Sequence, residues 1–280
     1  AFSILPFQTV DLIVIFLFIE GIPVLYTISI KDFILGHSWY PTDDPPDFGI
    51  LSLILGSVYV TLLSGMIAIP LGIMSAVYLA ELAQPRVAEI VKPIVELMAS
   101  MPSVVIGFFG MVVVAPFIQK LFNIPVGLNM FNASLMLAFM SVPTICSLAE
   151  DAIFSVPNAL KEASFALGAT HFETIVKVIL PASLSGICTA VILGLSRAVG
   201  ETMVVLMAAG GAAMIPGSVF DPVRPLPASI AAEMAEAPFG SEHYHALFAI
   251  GIVLFGFTFM FNLIADYISH RFRQAGEASL

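Results

Sequence analysis

Six long runs of mostly apolar residues constrain this chain more than any other feature of its sequence. An α-helix needs about 20 consecutive apolar residues to cross the hydrocarbon of a bilayer. Only 11% of the residues are charged and 59% are apolar, whereas about a quarter of a typical soluble domain is charged. The sequence therefore predicts an all-α, polytopic helical membrane protein with six transmembrane helices, at residues 12–30, 50–80, 94–118, 131–149, 183–213 and 245–268.

The basic residues predict the orientation of these spans. If the spans alternate, one side of the membrane receives Arg86, Lys92, Lys161, Lys177, Arg271 and Arg273, and the other receives Lys31, Lys120 and Arg224. Because cytoplasmic loops carry an excess of Lys and Arg, segment 155–181 and the C-terminus are expected in the cytoplasm. The acidic segment 31–49, an exposed loop, and the acidic segment 214–243, a loop with possible short helices, are then expected outside. The net charge of −10 excludes a nucleic-acid-binding surface.

Segment 155–181 carries strong local signals between two apolar runs. Residues 157–167 are typical of a short helix that begins with a proline, and Gly168 stands where a helix C-cap takes a positive φ. Thr170 and Glu173 form the T-x-x-E pattern of a capping box that opens a second helix, and Pro181 is expected to close that helix. Two short amphipathic helices between membrane spans predict a docking element rather than a further span.

Glu162-Ala163-Ser164, Gly168 and the run Val178-Ile179-Leu180-Pro181 resemble the EAA loop of the membrane subunits of ATP-driven (ABC) importers. Ser164 and Val178 depart mildly from the pattern of that loop. The resemblance implies that residues 155–181, hereafter the coupling loop, fit a groove on an ATPase subunit. An ordinary interfacial helical hairpin remains the alternative. The coupling residues that the resemblance implies are Glu162, Ala163, Gly168, Leu180 and Pro181.

Two opposite charges occur within the predicted fifth span. Arg197 and Glu201 are four residues apart and are therefore expected on one face of a helix. A charge at membrane depth is costly and indicates a functional cavity, although mutual neutralisation or snorkelling of Arg197 to the interface would also explain the pair. A guanidinium fork matches a tetrahedral oxyanion. Glu201 would accept a hydrogen bond from hydrogen phosphate, which carries a proton that sulfate lacks.

Three stretches indicate which kind of ABC importer the chain resembles. They are residues 70–82, residues 91–110 and SRAVGETMVVLMAAGG at 196–211. They are similar to permease subunits of the phosphate-specific ABC importer, of the PstC type, with the PstA type as second choice. The resemblance implies a MetI-like permease core with five transmembrane helices at 50–270. A transmembrane helix and extracytoplasmic loop at 1–49 precede this core, and a cytoplasmic tail at 271–280 follows it. The family's arginine and glutamate correspond to Arg197 and Glu201, and these two residues and Thr202 are expected to line the substrate path.

Weaker polar signals complete the predicted substrate path. Pro102-Ser103 and Pro143-Thr144 could each break a span and direct Ser103 or Thr144 towards an anion, although proline kinks without a ligand are at least as common. His243 and His245 are too few to indicate a metal site.

The expected function is that of a permease subunit that translocates inorganic phosphate across the inner membrane of a prokaryote. No phosphate-binding loop motif is present in the sequence, so the chain is not expected to be an enzyme or to bind a cofactor itself. ATP and magnesium would be used by a partner ATPase. The alternatives are an importer for sulfate, molybdate or tungstate, and a membrane scaffold that transports nothing. The expected partners are a second homologous permease in a heterodimer, two ATPase subunits, an extracytoplasmic phosphate-binding protein and membrane lipid.

Overall fold

The computed structural model describes residues 5–277, with side-chain surroundings for residues 11–264, 266 and 267. The side chains of Arg271 and Arg273, and residues 278–280 of the predicted tail, lie outside this part. The described chain is mainly helical and its two strands have only two residues each, which confirms the predicted all-α class. Its helices are α1 (Leu5–Gly21), α2 (Val24–Thr27), α3 (Ile30–Leu35), α4 (Leu51–Val77), α5 (Pro85–Ala99), α6 (Ser103–Phe109), α7 (Ala115–Phe122), α8 (Met130–Phe154), α9 (Asn158–Ala166), α10 (His171–Thr174), α11 (Leu180–Val199), α12 (Met203–Ala208), α13 (Leu226–Glu233) and α14 (Glu242–Glu277).

Three π-helical turns continue these helices, at Tyr78–Leu82 after α4, Gly110–Val114 after α6 and Ile175–Ile179 after α10. Within residues 5–277, five helical stretches are long and apolar enough to cross a membrane: Leu51–Leu82, Ser103–Phe122, Met130–Phe154, His171–Val199 and Glu242–Ile264. Polytopic membrane architecture therefore follows from the structure as well as from the sequence.

The predicted first span, 12–30, is not one continuous helix. Helix α1 ends at Gly21, and α2 begins only at Val24. Pro23 lies between them, and a proline both lacks the N–H that a helix needs and clashes with the carbonyl four residues earlier. The five stretches that are long and apolar enough within residues 5–277 do not include α1.

The third span begins later than the predicted 94–118. Residues 85–99, the end of which was predicted to open that span, form helix α5, and the spanning helix starts at Ser103. Pro102 precedes that start, and the residue before a proline is disfavoured in helical geometry. Helix α5 is therefore a separate amphipathic helix between two spans.

The fifth span is displaced from the predicted 183–213. The helix that opens after Thr170 passes through the π turn Ile175–Ile179 and through Pro181, and it ends at Val199. Pro181 therefore does not close it, because the π turn just before Pro181 provides an altered bonding pattern in which a proline is tolerated. Gly200 ends the helix, and glycine in a helix costs about 1 kcal/mol relative to alanine.

The chain divides into two compact units. The first comprises the described parts of Ala1–Thr61, together with Ser103–Met136 and Gly200–Thr258, and the second comprises Leu62–Pro102, Leu137–Val199 and the described parts of Phe259–Leu280. The predicted domain bounds at 49/50 and 270/271 stay predictions.

The first unit contains a folded segment where an exposed loop was expected. Residues 31–49 form α3 and a hairpin of two strands, β1 (Trp39–Tyr40) and β2 (Asp47–Phe48), in which Trp39 pairs with Phe48. Trp39 is only 2% exposed, and it belongs to a buried cluster that includes Phe33, Leu53 and Leu247. Phe33, Trp39 and Phe48 anchor the segment, while its acidic residues stay exposed.

The second unit depends on glycines where its helices meet. A Cβ at Gly72 of α4 would lie 2.7 Å from Ile145 of α8, and one at Gly194 of α11 would lie 2.4 Å from the same side chain. Both distances are below what real side chains tolerate, so the two glycines allow α4 and α11 to approach α8 closely. Ile145 is fully buried as a result.

Candidate functional site

The coupling loop adopts the local geometry that its sequence predicts. Gly168 has φ of +84°, in the left-handed region. Thr170 Oγ1 accepts a hydrogen bond from the Glu173 N–H at 3.3 Å, and Glu173 Oε2 accepts one from the Thr170 N–H at 3.1 Å. Both hydrogen bonds of the predicted capping box are therefore present.

Ser164 has a structural role that alanine could not fill. Its hydroxyl lies 2.9 Å from that of Thr174, and both residues are buried. Thr174 Oγ1 donates to the carbonyl of Thr170 at 3.0 Å, so Ser164 acts as the donor to Thr174. This hydrogen bond ties α9 to α10, which explains why a polar residue can stand where the family pattern has alanine.

The predicted coupling residues differ in their exposure. Glu162, Ala163 and Gly168 are exposed, and so is Pro181, whereas Leu180 is half-buried at the start of α11. The first three therefore lie on the surface of the loop, and the last two belong to the spanning helix that leaves it.

Three large apolar side chains on the coupling loop were not singled out from the sequence. Phe165, Leu167 and Phe172 are 45%, 89% and 74% exposed, and we call them the apolar patch. The ring of Phe165 stacks on that of His171, with centroids 6.1 Å apart and an angle of 9° between the ring planes. Their signal in the sequence is the presence of large apolar residues on both sides of the glycine break.

Arg197 and Glu201 do not share a helix face. Arg197 is exposed on the last turn of α11, where a cation interacts favourably with the helix dipole. Glu201 lies beyond the end of that helix, and its Oε1 accepts hydrogen bonds from the N–H groups of Met203 and Val204 at 3.2 and 3.4 Å. The expectation of an i, i+4 pair on one helix is therefore wrong, because Gly200 ends α11 and Glu201 caps α12 instead.

Helix α12 is held against α6 within the first unit. A Cβ at Gly107 of α6 would lie 3.1 Å from the Met203 carbonyl oxygen and from Val204 Cα, so glycine permits this close approach. Thr202 precedes α12 and is half-buried, and Ser103 is the half-buried first residue of α6. Ser103 is therefore at the start of α6, and Glu201 and Thr202 directly precede α12, the helix that packs against α6.

Thr144 lies in the second unit, on a helix that its neighbouring proline does not break. Helix α8 is continuous through Pro143. Within the described residues, the hydroxyls of Thr144 and Ser141 are buried without a hydrogen-bond partner. An unsatisfied buried hydroxyl is uncommon, and Ser141 was not singled out from the sequence.

His243 and His245 contact different carboxylate residues. His243 Nε2 lies 2.8 Å from Glu233 Oε2, and the same carboxylate accepts a hydrogen bond from Trp39 Nε1 at 2.9 Å and pairs with Arg224. His245 Nδ1 lies 2.8 Å from the carbonyl oxygen of Glu20. Glu233 thus joins the N-terminal hairpin, α13 and the start of α14 within the first unit.

Comparison with known proteins identifies the class of the chain. Residues 68–274 match the family described as binding-protein-dependent transport system inner membrane component. The probable ABC transporter permease protein YqgH of Bacillus subtilis is 38% identical over 261 residues, which are 92% of this chain and 84% of that protein. The phosphate transport system permease protein PstC of Mesorhizobium japonicum is 34% identical over 258 residues, which are 85% of this chain and 78% of that protein.

Two solved transporters share the fold. An inward-facing MetNI methionine ABC transporter has a TM-score of 0.64 at 20% identity, over 80% of this chain and 95% of that one. A bacterial alginate ABC transporter, in complex with an alginate pentasaccharide-bound periplasmic protein, has a TM-score of 0.64 at 16% identity, over 96% and 94%. The family match covers most of the chain and both sequence relatives exceed 30% identity, so the chain belongs to the binding-protein-dependent transport system inner membrane components and is a polytopic membrane permease subunit of an ABC importer.

Proposed function

We propose that this permease translocates inorganic phosphate. The observation that carries the proposal is the 34% identity, over 85% of this chain, to a permease named for phosphate transport. Arg197 supports it chemically, because an exposed guanidinium at the end of a transmembrane helix offers the planar fork that binds a tetrahedral oxyanion through two parallel hydrogen bonds.

Glu201 provides a means of telling hydrogen phosphate from sulfate. The backbone N–H groups of α12 occupy its Oε1, which fixes the carboxylate while leaving Oε2 to accept a further hydrogen bond. An ionised carboxylate accepts a hydrogen bond from the hydroxyl of hydrogen phosphate, and it repels a sulfate, which has no proton to donate. We place Ser103, Thr144 and Thr202 on the same path as hydroxyl groups that can donate to the anion.

The coupling loop is the surface that we assign to the ATPase. Large apolar side chains that are exposed together, as in the apolar patch, indicate a surface that binds a partner. The exposed carboxylate of Glu162 lies on the same short helical hairpin. Gly168 sets the angle between α9 and α10, so it determines how the patch is presented. We place this loop in the cytoplasm and the acidic hairpin of residues 39–48 outside.

The full assembly in this proposal has four kinds of component. A second, homologous permease completes the translocation path, two ATPase subunits bind the coupling loops, and an extracytoplasmic binding protein delivers phosphate. ATP and magnesium act on the ATPase subunits.

Uptake by the reconstituted transporter tests the proposal. The complex in proteoliposomes, with ATP inside and the binding protein outside, should accumulate labelled phosphate. Unlabelled sulfate, molybdate and tungstate should compete poorly with it. ATP-dependent uptake of one of those anions, without phosphate uptake, would assign the permease to that oxyanion instead. ATP hydrolysis without uptake of any of them would contradict an oxyanion path.

A further inference from the structure

Two groups of ion pairs connect the stretch 78–99 to the coupling loop and to the helix that enters it. Lys161 of α9 lies 2.6 Å from Glu81, in the π turn that ends the span Leu51–Leu82. Lys92 of α5 lies 2.7 Å from Glu150 and 3.3 Å from Asp151, near the end of α8. All of these residues belong to the second unit. The stretch 78–99 is therefore attached on both sides of the start of the coupling loop.

The Glu81–Lys161 pair is shielded from water. The side chain of Glu81 is 7% exposed and that of Lys161 is 18% exposed. Charges in such a position interact more strongly than surface pairs, which are worth little. Removing one partner leaves the other charge buried and unpaired.

The Lys92 pair is more open, but it persists over the physiological pH range. The Lys92 side chain is 42% exposed and that of Glu150 is 12% exposed. The hydrogen bond to Glu150 is the main cause of a raised pKa of Lys92. Lys92 therefore keeps its positive charge beside Glu150 up to a higher pH than an isolated lysine does.

Apolar packing holds α5 only in part, through half-buried residues such as Val95, which packs against the buried cluster that includes Ala149 and Ile153. Helix α5 is described in full, and it has no buried residue. An apolar groove of about 400 Å³ lies between its Val91 and Val95 and the Leu71 and Met74 side chains of α4. The ion pairs add to this packing two directional contacts that join the stretch to α8 and α9. The π turn Tyr78–Leu82 is a further indication that this stretch has a functional role, because π turns recur at functional positions in helices.

We propose that the stretch 78–99 is a second coupling element, in which Glu81 and Lys92 are positioning residues that make the ends of α4 and α5 move with the coupling loop. The inference rests on the proposed docking of the ATPase to that loop, and it adds a route from the loop into the first membrane helix of the core. Movement of α9 is passed on through Lys161 to Glu81, and movement of the end of α8 through Glu150 to Lys92. Without these pairs, the ATPase would still bind and hydrolyse ATP, but the membrane helices would not follow.

The test uses the complete transporter in proteoliposomes, with Glu81→Gln, Lys161→Met and Lys92→Met variants. The readout is the ratio of substrate taken up to ATP hydrolysed, with copurification of the ATPase measured in parallel. We expect each variant to keep the ATPase bound, while the amount of substrate taken up per ATP hydrolysed falls about fivefold or more. A fivefold change is the lower end of the typical coupling between two sites in a protein. The double variant Glu81→Lys, Lys161→Glu should restore the ratio, because the attraction is symmetric. Arg86→Met is the matched control, since it removes an exposed charge from α5 at a residue with no ion-pair partner among the described residues.

A purely structural role predicts other results. If Glu81→Gln reduces uptake only in proportion to the amount of assembled complex, with an unchanged ratio, the proposal is wrong. Failure of the charge-swapped variant to restore the ratio, in a complex that still assembles, would also overturn it. The ratio is measured with whichever oxyanion the unmodified transporter takes up, so a failure of the phosphate proposal is separate from a failure of this one.

Discussion

The hydroxyls of Ser164 and Thr174 lie 2.9 Å apart in the buried interior of the coupling loop. This hydrogen bond joins the two short helices on either side of Gly168, so the angle at the glycine is held by a side-chain contact as well as by the backbone. The loop is therefore presented as a preformed hairpin rather than as a flexible connection.

Ser164→Ala should weaken this hairpin without abolishing coupling. Thr174 keeps its hydrogen bond to the Thr170 carbonyl, so no buried donor is left unsatisfied, and the expected loss is ~1 kcal/mol. Thermal unfolding of the purified permease measures the loss, and the ATPase should still copurify. Loss of ATPase binding in a normally inserted variant would show that the bond does more than support the hairpin.

Gly168→Val should disrupt docking of the ATPase. A residue with a Cβ pays roughly 1–2 kcal/mol in left-handed geometry, and a β-branched residue is a genuine outlier there. Apart from Gly168 and its two neighbours in the chain, no residue has an atom within 4 Å of the Cβ position, so the penalty comes from the backbone conformation. Gly168→Asn is therefore the control, because asparagine tolerates this geometry. The Gly168→Val variant should insert in the membrane but fail to stimulate ATP hydrolysis by the ATPase. The Gly168→Asn variant should retain this stimulation. Equal stimulation by both variants would contradict the role of the glycine.

The orientation of the chain can be read from thiol labelling. Cysteines at Asp43 and Ser155 replace exposed residues of the hairpin and of the coupling loop. In intact cells, an impermeant maleimide should label the variant at Asp43 and leave the one at Ser155 unlabelled. The unmodified chain, with Cys146 buried and Cys188 half-buried, measures the background. The reverse pattern would place the coupling loop outside.

Arg197→Lys should lower phosphate uptake although it keeps the charge. The ammonium loses the planar fork, and we expect uptake to fall about tenfold, which corresponds to ~1.4 kcal/mol. Arg86→Lys, at an exposed position on α5, is the control. Unchanged uptake in the Arg197 variant would show that a positive charge suffices and that the bidentate geometry has no role.

Glu201→Gln should change the selectivity rather than the assembly. The amide oxygen of glutamine can still accept from the N–H groups of Met203 and Val204, so the start of α12 is preserved. Sulfate should begin to compete with phosphate only in this variant, because the repulsion is removed, whereas arsenate should compete in both forms. The assay needs a binding-protein-independent form of the transporter, since the binding protein would otherwise select the anion first.

A charge swap separates a path role from a structural pair. If Arg197 and Glu201 only neutralised each other, the Arg197→Glu, Glu201→Arg double variant would regain uptake. We expect it to stay inactive, because an arginine has no acceptor for the N–H groups of α12 and a glutamate at 197 repels the anion. Full phosphate uptake by the double variant would contradict both proposed roles.

The features that the sequence determined are those set by residues close together in the chain. Gly168 and the Thr170–Glu173 capping box depend on backbone geometry over four residues, and the membrane class follows from apolar runs that need helical hydrogen bonding in lipid. These features are therefore visible without a fold. The ends of the spans were harder to place, because Pro23, Pro102 and Pro181 have the same local chemistry and only the first two interrupt a helix.

The tertiary structure alone decided which distant residues meet. Glu81 and Lys161 are 80 residues apart in sequence, and no periodicity indicates their pairing. The hydrogen bond from buried Trp39 to Glu233 joins residues 194 apart in sequence. The sequence does not indicate this contact either, because the segment around Trp39 is acidic and rich in proline. Glu201 shows that even a local prediction can fail. Its spacing from Arg197 predicts a shared helix face, but α11 ends at Val199, and the Glu201 carboxylate instead accepts a hydrogen bond from the backbone of α12. Local sequence specifies turns and spans because their energies are local, whereas contacts between elements depend on how those elements pack.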